Sequence, residues 1–131
     1  MTPIEPGIFP LVEALNATGL VRTFSSYEGH FGPSEQLATV DRNQAEVRFI
    51  PADNIPPEQV EIMLGQWLTA YKKKHGLMPV RVIGYKLFTP VDNEIDVTFV
   101  IELHPFNRFD SSATKRDDVN RAIENLAVLT K

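Results

Sequence analysis

The sequence predicts a single layered α+β domain over residues 1–131, in which three helices pack on a four-stranded, mostly antiparallel sheet in the order αββαββα. Two stretches, at 45–50 and 94–104, alternate between apolar and polar residues as half-buried strands do. Two longer stretches, at about 57–75 and 112–130, repeat apolar residues at helical spacing. No linker-like segment divides the chain, so we expect one domain.

The first part of the chain predicts a short helix, a strand and a long loop. Pro10 suits the first turn of a helix at 8–18, and Gly19 is a natural C-terminal stop. Residues 20–26 are rich in Val, Thr and Phe, which favours a strand. From 28 to 44 the chain carries Gly, Pro, Ser and Asn with little periodicity, so we expect a loop before the second strand.

The long helix and the third strand follow the second strand. The helix at about 57–75 carries three lysines, at 72–74, in its last turn, where positive charge complements the helix dipole. Residues 80–88 are apolar on both faces apart from Arg81 and Lys86, and this pattern suggests a central strand.

The fourth strand has the clearest pattern in the chain. A turn at 91–93 leads into it, and Pro105 is expected to stop it after 104. The residues expected to face inward are Ile95, Val97, Phe99, Ile101 and Leu103. Val100 is an apolar residue among the outward positions. The last helix, at about 112–130, follows a predicted serine cap.

Strand directions predict which chemical groups lie together. If the strands pair antiparallel and the long helix, about 28 Å long, returns the chain to the same end, strands one and four end on one edge of the sheet. Glu28, His30 and His104 would then share that edge with Arg108 and with the first turns of the first and last helices. Unpaired N–H groups at helix N-termini favour anions, so we expect an electropositive rim.

The stretch 25–30, with the sequence Ser-Ser-Tyr-Glu-Gly-His, is the main candidate site. His30 has a reference pKa suited to proton transfer, and Glu28 lies on the same side of an extended chain, so we assign these two as candidate catalytic residues. The candidate ligand-binding residues are Ser25, Ser26, Tyr27, His104 and Arg108. The alternative is that the histidines are surface or structural residues and that the serines satisfy local backbone groups.

Residues 11–16, 19–23 and 25–30 resemble the start of a small family of uncharacterised bacterial proteins, which has a leucine-valine helix, a short strand and an S-C-E-G-H box. The box is also similar to the S-S-C-x-G-R box of the wybutosine-synthesising methyltransferases that act on tRNA. Tyr27 replaces the cysteine of both boxes, and His30 replaces the arginine of the second, which excludes a thiolate role. The resemblance implies a site at this box but does not imply a reaction.

Composition limits the classes of function. The chain has no cysteine, so it has neither a disulfide framework nor a zinc–thiolate site, and a cytoplasmic location fits this. The formal net charge of −4 makes broad binding to nucleic acid unlikely, because such binding needs a basic surface. No apolar run is long enough to span a bilayer.

We therefore expect a small soluble protein that binds an anionic or nucleotide-like small molecule at the rim, with catalysis and any cofactor left open. The first alternative is a non-catalytic homodimer, with Val100 on the free face of the sheet. The second is a protein related to tRNA modification, as the methyltransferase box suggests. No metal is assigned, although Glu28, His30 and His104 would suit iron, manganese or zinc if both strand ends were adjacent. If two strands separated them, His104 would be roughly 14 Å away.

Overall fold

The computed structural model describes residues 5–27, 45–75, 80–105 and 112–129. It confirms the α+β class and the order αββαββα. The helices are α1 (Phe9–Ala17), α2 (Pro57–His75) and α3 (Ser112–Val128), and the strands are β1 (Val21–Tyr27), β2 (Ala45–Pro51), β3 (Val80–Val91) and β4 (Glu94–Pro105). Among these residues no helix is long and apolar enough to cross a membrane.

The four strands form one antiparallel sheet in the order β1-β2-β4-β3. β1 and β4 both run antiparallel to β2, so their C-terminal ends lie at the same end of the sheet, as predicted. One strand separates them, which corresponds to roughly 10 Å at about 4.8 Å per strand. We name this part of the sheet, where β1 and β4 end and β2 and β3 begin, the upper end.

The prediction that β3 is a central strand was wrong, since β3 lies at an edge of the sheet. Its apolar residues on both faces have another cause. On the helix side Gly84 lies against α2, where an added Cβ would meet Leu68 at 3.0 Å and Leu64 at 3.2 Å. On the other side Ile83 and Tyr85 are only partly exposed. Both faces of this edge strand are therefore covered in part.

β3 and β4 also extend further than predicted. β3 continues to Val91, and Pro105 belongs to β4, where it pairs with Val80. A proline at the last position of a strand is tolerated because few ladder bonds remain to be made there. Ile95, which was expected to face inward, is 57% exposed, because β2 pairs with β4 only as far as Phe99.

The hydrophobic core lies between the helices and one face of the sheet. Its sheet side includes Ala45, Val47, Phe49, Phe99, Ile101 and Leu103, all at most 1% exposed. Helix α2 contributes Trp67, whose Nε1 donates a hydrogen bond to the carbonyl oxygen of Leu126 in α3 at 2.9 Å. Because side chains alternate along a strand, the residues between these core positions belong to the opposite face.

Candidate functional site

The opposite face of the sheet carries a polar cluster at its upper end. Residues directly opposite each other on neighbouring strands share a face, so the register assigns the members of the cluster. They are Tyr27 of β1, Glu46 and Arg48 of β2, Tyr85 of β3, and Glu102 and His104 of β4. We name this set the polar sheet face.

Two rows of paired residues build the polar sheet face. Tyr27 lies opposite Glu46, and Glu46 lies opposite Glu102, so one row crosses three strands. In the next row Arg48 lies opposite Val100, which lies opposite Tyr85. Val100 is 0% exposed within the protomer, so it offers no surface to a second chain. The observation that suggested a homodimer therefore does not support one.

Glu102 connects β3 to the end of β4 through two hydrogen bonds. The hydroxyl group of Tyr85 donates to Oε2 of Glu102, and Nε2 of His104 lies 2.8 Å from Oε1. Since an ionised carboxylate can only accept, Nε2 carries the proton in the second bond. The side chains of His104 and Glu102 are 11% and 14% exposed. Glu102 thus fixes the orientation of the imidazole.

The pKa of Tyr85 is raised by the surroundings of its phenol on the polar sheet face. The pKa of its phenol is raised to about 12, mainly by burial and then by the hydrogen bond to Glu102 and the negative charges of Glu102 and Glu46. The nearby Arg48 opposes this rise in the pKa. The phenol is therefore a hydrogen-bond donor, not an acid, at neutral pH.

Glu46 is the member of the polar sheet face whose carboxylate is incompletely hydrogen-bonded by the described residues. The Nε atom of Arg48 lies 3.7 Å from Oε1 of Glu46, within ion-pair range but too far for a hydrogen bond. Its other oxygen, Oε2, is buried and has no hydrogen-bond partner in the described part of the chain. Carboxylates placed directly opposite each other also repel, as Glu46 and Glu102 do here. Glu46 can therefore accept a hydrogen bond that the described residues do not supply.

Four of the predicted ligand-binding residues lie in described strands. Tyr27 and His104 belong to the polar sheet face, on strands that have β2 between them. Ser25 lies opposite Arg48 and shares that face, and it is exposed. Ser26 lies opposite Val47 and belongs to the helix face. The register shifts between Thr23 and Ser25, and this shift sets which of the two serines faces which side.

The remaining predicted site residues, Glu28, His30 and Arg108, lie outside the described residues. Their roles stay predictions, as does the metal set that Glu28 and His30 would form with His104. Among the residues that the structure does describe, no group of three or more His, Asp or Glu side chains has an arrangement that could hold a metal ion.

Sequence reasoning missed Glu46, Arg48, Tyr85 and Glu102. The alternation at 45–50 and 94–104 places Glu46, Arg48 and Glu102 on the polar side of their strands, but it does not show which residues of other strands lie beside them. A usable signal was present, because Glu102-x-His104 has the same spacing as Glu28-x-His30, which was singled out. In a strand, this spacing places both side chains on one face.

Comparison of the chain with protein-family models, with curated proteins and with solved structures finds no match. The resemblance of its first 30 residues to the bacterial family with the S-C-E-G-H box therefore stays a prediction. The site has to be interpreted from its own chemistry.

Proposed function

We propose that the polar sheet face is a small-molecule site, in which Glu46 accepts a hydrogen bond from an N–H or O–H group of the ligand. The observation that supports this most directly is the buried Oε2 atom of Glu46, which has no partner among the described residues. A buried acceptor without a partner costs about 1–3 kcal/mol, and a bound donor would recover part of this cost.

A nucleotide-like molecule combines the two features that this site would recognise. Its amino or hydroxyl groups would donate to Glu46, and its anionic group would be held by the positive side chains at the same end of the sheet. Arg48 belongs to the polar sheet face, and Arg81 lies opposite His104 on β3. Arginine suits such an anion because its guanidinium group can donate two parallel hydrogen bonds.

In this proposal His104 is the group that exchanges a proton with the ligand. Here a carboxylate orients the imidazole, as in many acid–base sites. Glu102 is a positioning residue, because it acts through His104. The protein would work in the cytoplasm, which suits a chain with no cysteine.

A thermal-shift screen tests this proposal with nucleosides, nucleotides, sugar phosphates and inorganic phosphate. A ligand at 100 times its Kd stabilises a protein by about 2.7 kcal/mol, which is a measurable rise in Tm. We expect a nucleotide to stabilise the wild type, and Glu46→Gln and His104→Gln to lose most of the gain. Asp92→Asn, at the far end of the sheet, is the matched control that removes one carboxylate and should retain it.

Three results would contradict the proposal. One is that no compound in the screen raises the Tm of the wild type. Another is that Glu46→Gln, while folded, keeps the full gain, since this variant has lost the negative charge and one of the two acceptor oxygens of Glu46. Inorganic phosphate that stabilises as well as a nucleotide would show anion binding alone and would exclude the role of Glu46.

A further inference from the structure

The hairpin formed by β3 and β4 extends beyond the rest of the sheet. β4 pairs with β3 from Glu94 to Pro105, whereas it pairs with β2 only from Phe99 to Leu103. Residues 94–98 therefore have a paired strand on one side only, and no residue in the described part of the chain is paired with their second side. We name this side of residues 94–98 the free edge.

Both faces of the hairpin carry exposed side chains beside the free edge, so the side chains of an added strand would decide whether it binds. Ile95 and Phe88 share one face and are 57% and 63% exposed. The other face carries Glu94 and Asp96, both exposed, and Asp92 is exposed at the turn. An extended strand alternates between these faces, so an added strand would meet apolar and acidic side chains in turn.

The base of the hairpin is fixed, and its one lysine is already engaged. Nζ of Lys86 lies 2.6 Å from Oε1 of Glu61 in α2 and 5.2 Å from the centre of the Phe88 ring. This ties β3 to α2 and places a cation over the aromatic ring. The charges left on the outer part of the hairpin are the carboxylates, so its outer surface is acidic.

We infer that the free edge binds an extended, basic segment of a partner protein by strand addition. Residues 94–98 span about 17 Å and offer about four to six main-chain hydrogen bonds to an added antiparallel strand. Lysine or arginine residues on one side of that strand would pair with Glu94 and Asp96, and apolar residues on its other side would cover Ile95.

Charge argues against a second copy of this chain as the occupant. Symmetric antiparallel pairing centred at Asp96 would place this carboxylate opposite its own copy. Pairing centred at Ile95 would place Glu94 opposite Asp96 of the second chain. Like charges directly opposite each other on paired strands are destabilising. The same carboxylates favour a partner strand of the opposite sign.

A fluorescein-labelled heptapeptide of alternating lysine and valine is the probe for this inference, with binding measured by fluorescence anisotropy. We expect saturable binding by the wild type, and weakening of at least tenfold in Glu94→Lys/Asp96→Lys. A peptide with glutamate in place of lysine should not bind. N-methylation of one of the two alternating sets of peptide amides should abolish binding, because that set makes the main-chain bonds. Glu13→Lys/Glu124→Lys, which reverses two exposed carboxylates on helices, is the matched charge control and should bind as the wild type does.

The inference is overturned if the lysine peptide does not bind at millimolar concentration. It is equally overturned if the N-methylated peptides both bind as well as the parent, because attraction to the negative charge of the protein would then suffice. Light scattering adds a further test. A wild-type dimer that becomes monomeric in Ile95→Asp would show that the occupant is a second copy, and would exclude the partner proposed here.

Discussion

Removal of the hydroxyl group of Tyr85 tests whether the polar sheet face is held together by Glu102. The changes are Tyr85→Phe, Glu102→Gln and the double variant, which form a double-mutant cycle. Tyr71→Phe is the matched control. The hydroxyl of Tyr71 is buried with no hydrogen-bond partner in the described part of the chain, and Tyr71 is only 5% exposed.

The structure sets the size of the expected effects. A hydrogen bond to a charged group contributes about 1.5–3 kcal/mol, and Tyr85 is only partly buried, so we expect Tyr85→Phe to cost about 1.5 kcal/mol. Glu102→Gln keeps one acceptor oxygen for two donors and should cost about 1–2 kcal/mol. The two changes remove one shared contact, so the cycle should give a coupling of about 1 kcal/mol. Tyr71→Phe should be neutral or slightly stabilising, because it removes a polar atom that has no partner.

Urea unfolding with linear extrapolation measures these free energies, and alkaline pH adds a second readout. The pKa of Tyr85 is raised from 10.0 to about 12, mainly by burial and then by Glu102. The unfolded chain therefore releases this proton first. The stabilisation that comes from the raised pKa of Tyr85 is fully present below pH 10 and is lost as the pH rises from about 10 to 12. In Tyr85→Phe the free energy of unfolding should fall less between pH 10 and 12. The absorbance of tyrosinate in this variant should lack its most alkaline transition.

Three outcomes would refute this reasoning. A coupling energy near zero would mean that Tyr85 and Glu102 do not stabilise each other. A Tyr71→Phe variant that costs as much as Tyr85→Phe would mean that the cost comes from lost packing, not from the hydrogen bond. An alkaline transition of equal height in the wild type and in Tyr85→Phe would assign the high pKa to another phenol, since Tyr71 also has a pKa raised by burial.

Four further changes test the fold, each by urea unfolding. Gly84→Ala should cost about 1 kcal/mol because its Cβ would lie 3.0 Å from Cδ1 of Leu68, whereas Gly65→Ala in α2 meets nothing within 4 Å and should gain about 0.5–1 kcal/mol. Gly19→Ala should cost about 1 kcal/mol, since its φ of 76° lies in the left-handed region that favours glycine, although space for a Cβ is open. Trp67→Phe should cost about 1–3 kcal/mol because the carbonyl of Leu126 loses its donor. An equal effect at Gly84 and Gly65 would contradict the close approach of β3 to α2.

The elements could be predicted from the sequence because each carries its own periodicity. Strict alternation identified β2 and β4, and a stripe at helical spacing identified α2 with the bounds 57–75. The position of β3 in the sheet could not be predicted in this way. Apolar residues on both faces show that the faces are covered, but they do not show how many strands lie beside the strand. That number is set by long-range pairing, which no local pattern contains.

The exposure of Ile95 shows a related limit. Alternation states which face of a strand a residue belongs to, and Ile95 does share the face of Phe99. It does not state whether another layer lies over that face. Phe99 has β2 beside it and helices above it, whereas Ile95 lies past the end of the β2 pairing. A single pattern therefore describes a core residue and a surface residue equally well.

The polar sheet face was predicted only in part, for the same physical reason. The directions of β1 and β4 were sufficient to bring Tyr27 and His104 to one end of the sheet. Glu102 has two hydrogen-bond partners, His104 on its own strand and Tyr85 on the neighbouring strand, and the second contact depends on register. Tyr85 lies opposite Val100, and a shift of one residue would move it to the helix face.

The two proposed sites lie at opposite ends of β4, and this makes their tests independent. From Ile95 to Glu102 the strand rises seven residues, or about 24 Å at 3.4 Å per residue. Effects of substitutions more than about 10 Å apart usually add. Glu94→Lys/Asp96→Lys should therefore leave ligand stabilisation at the polar sheet face unchanged, and Glu46→Gln should leave peptide binding unchanged. Loss of both activities in either variant would show a defect of β4 as a whole, whereas loss of one assigns that function to its own end of the strand.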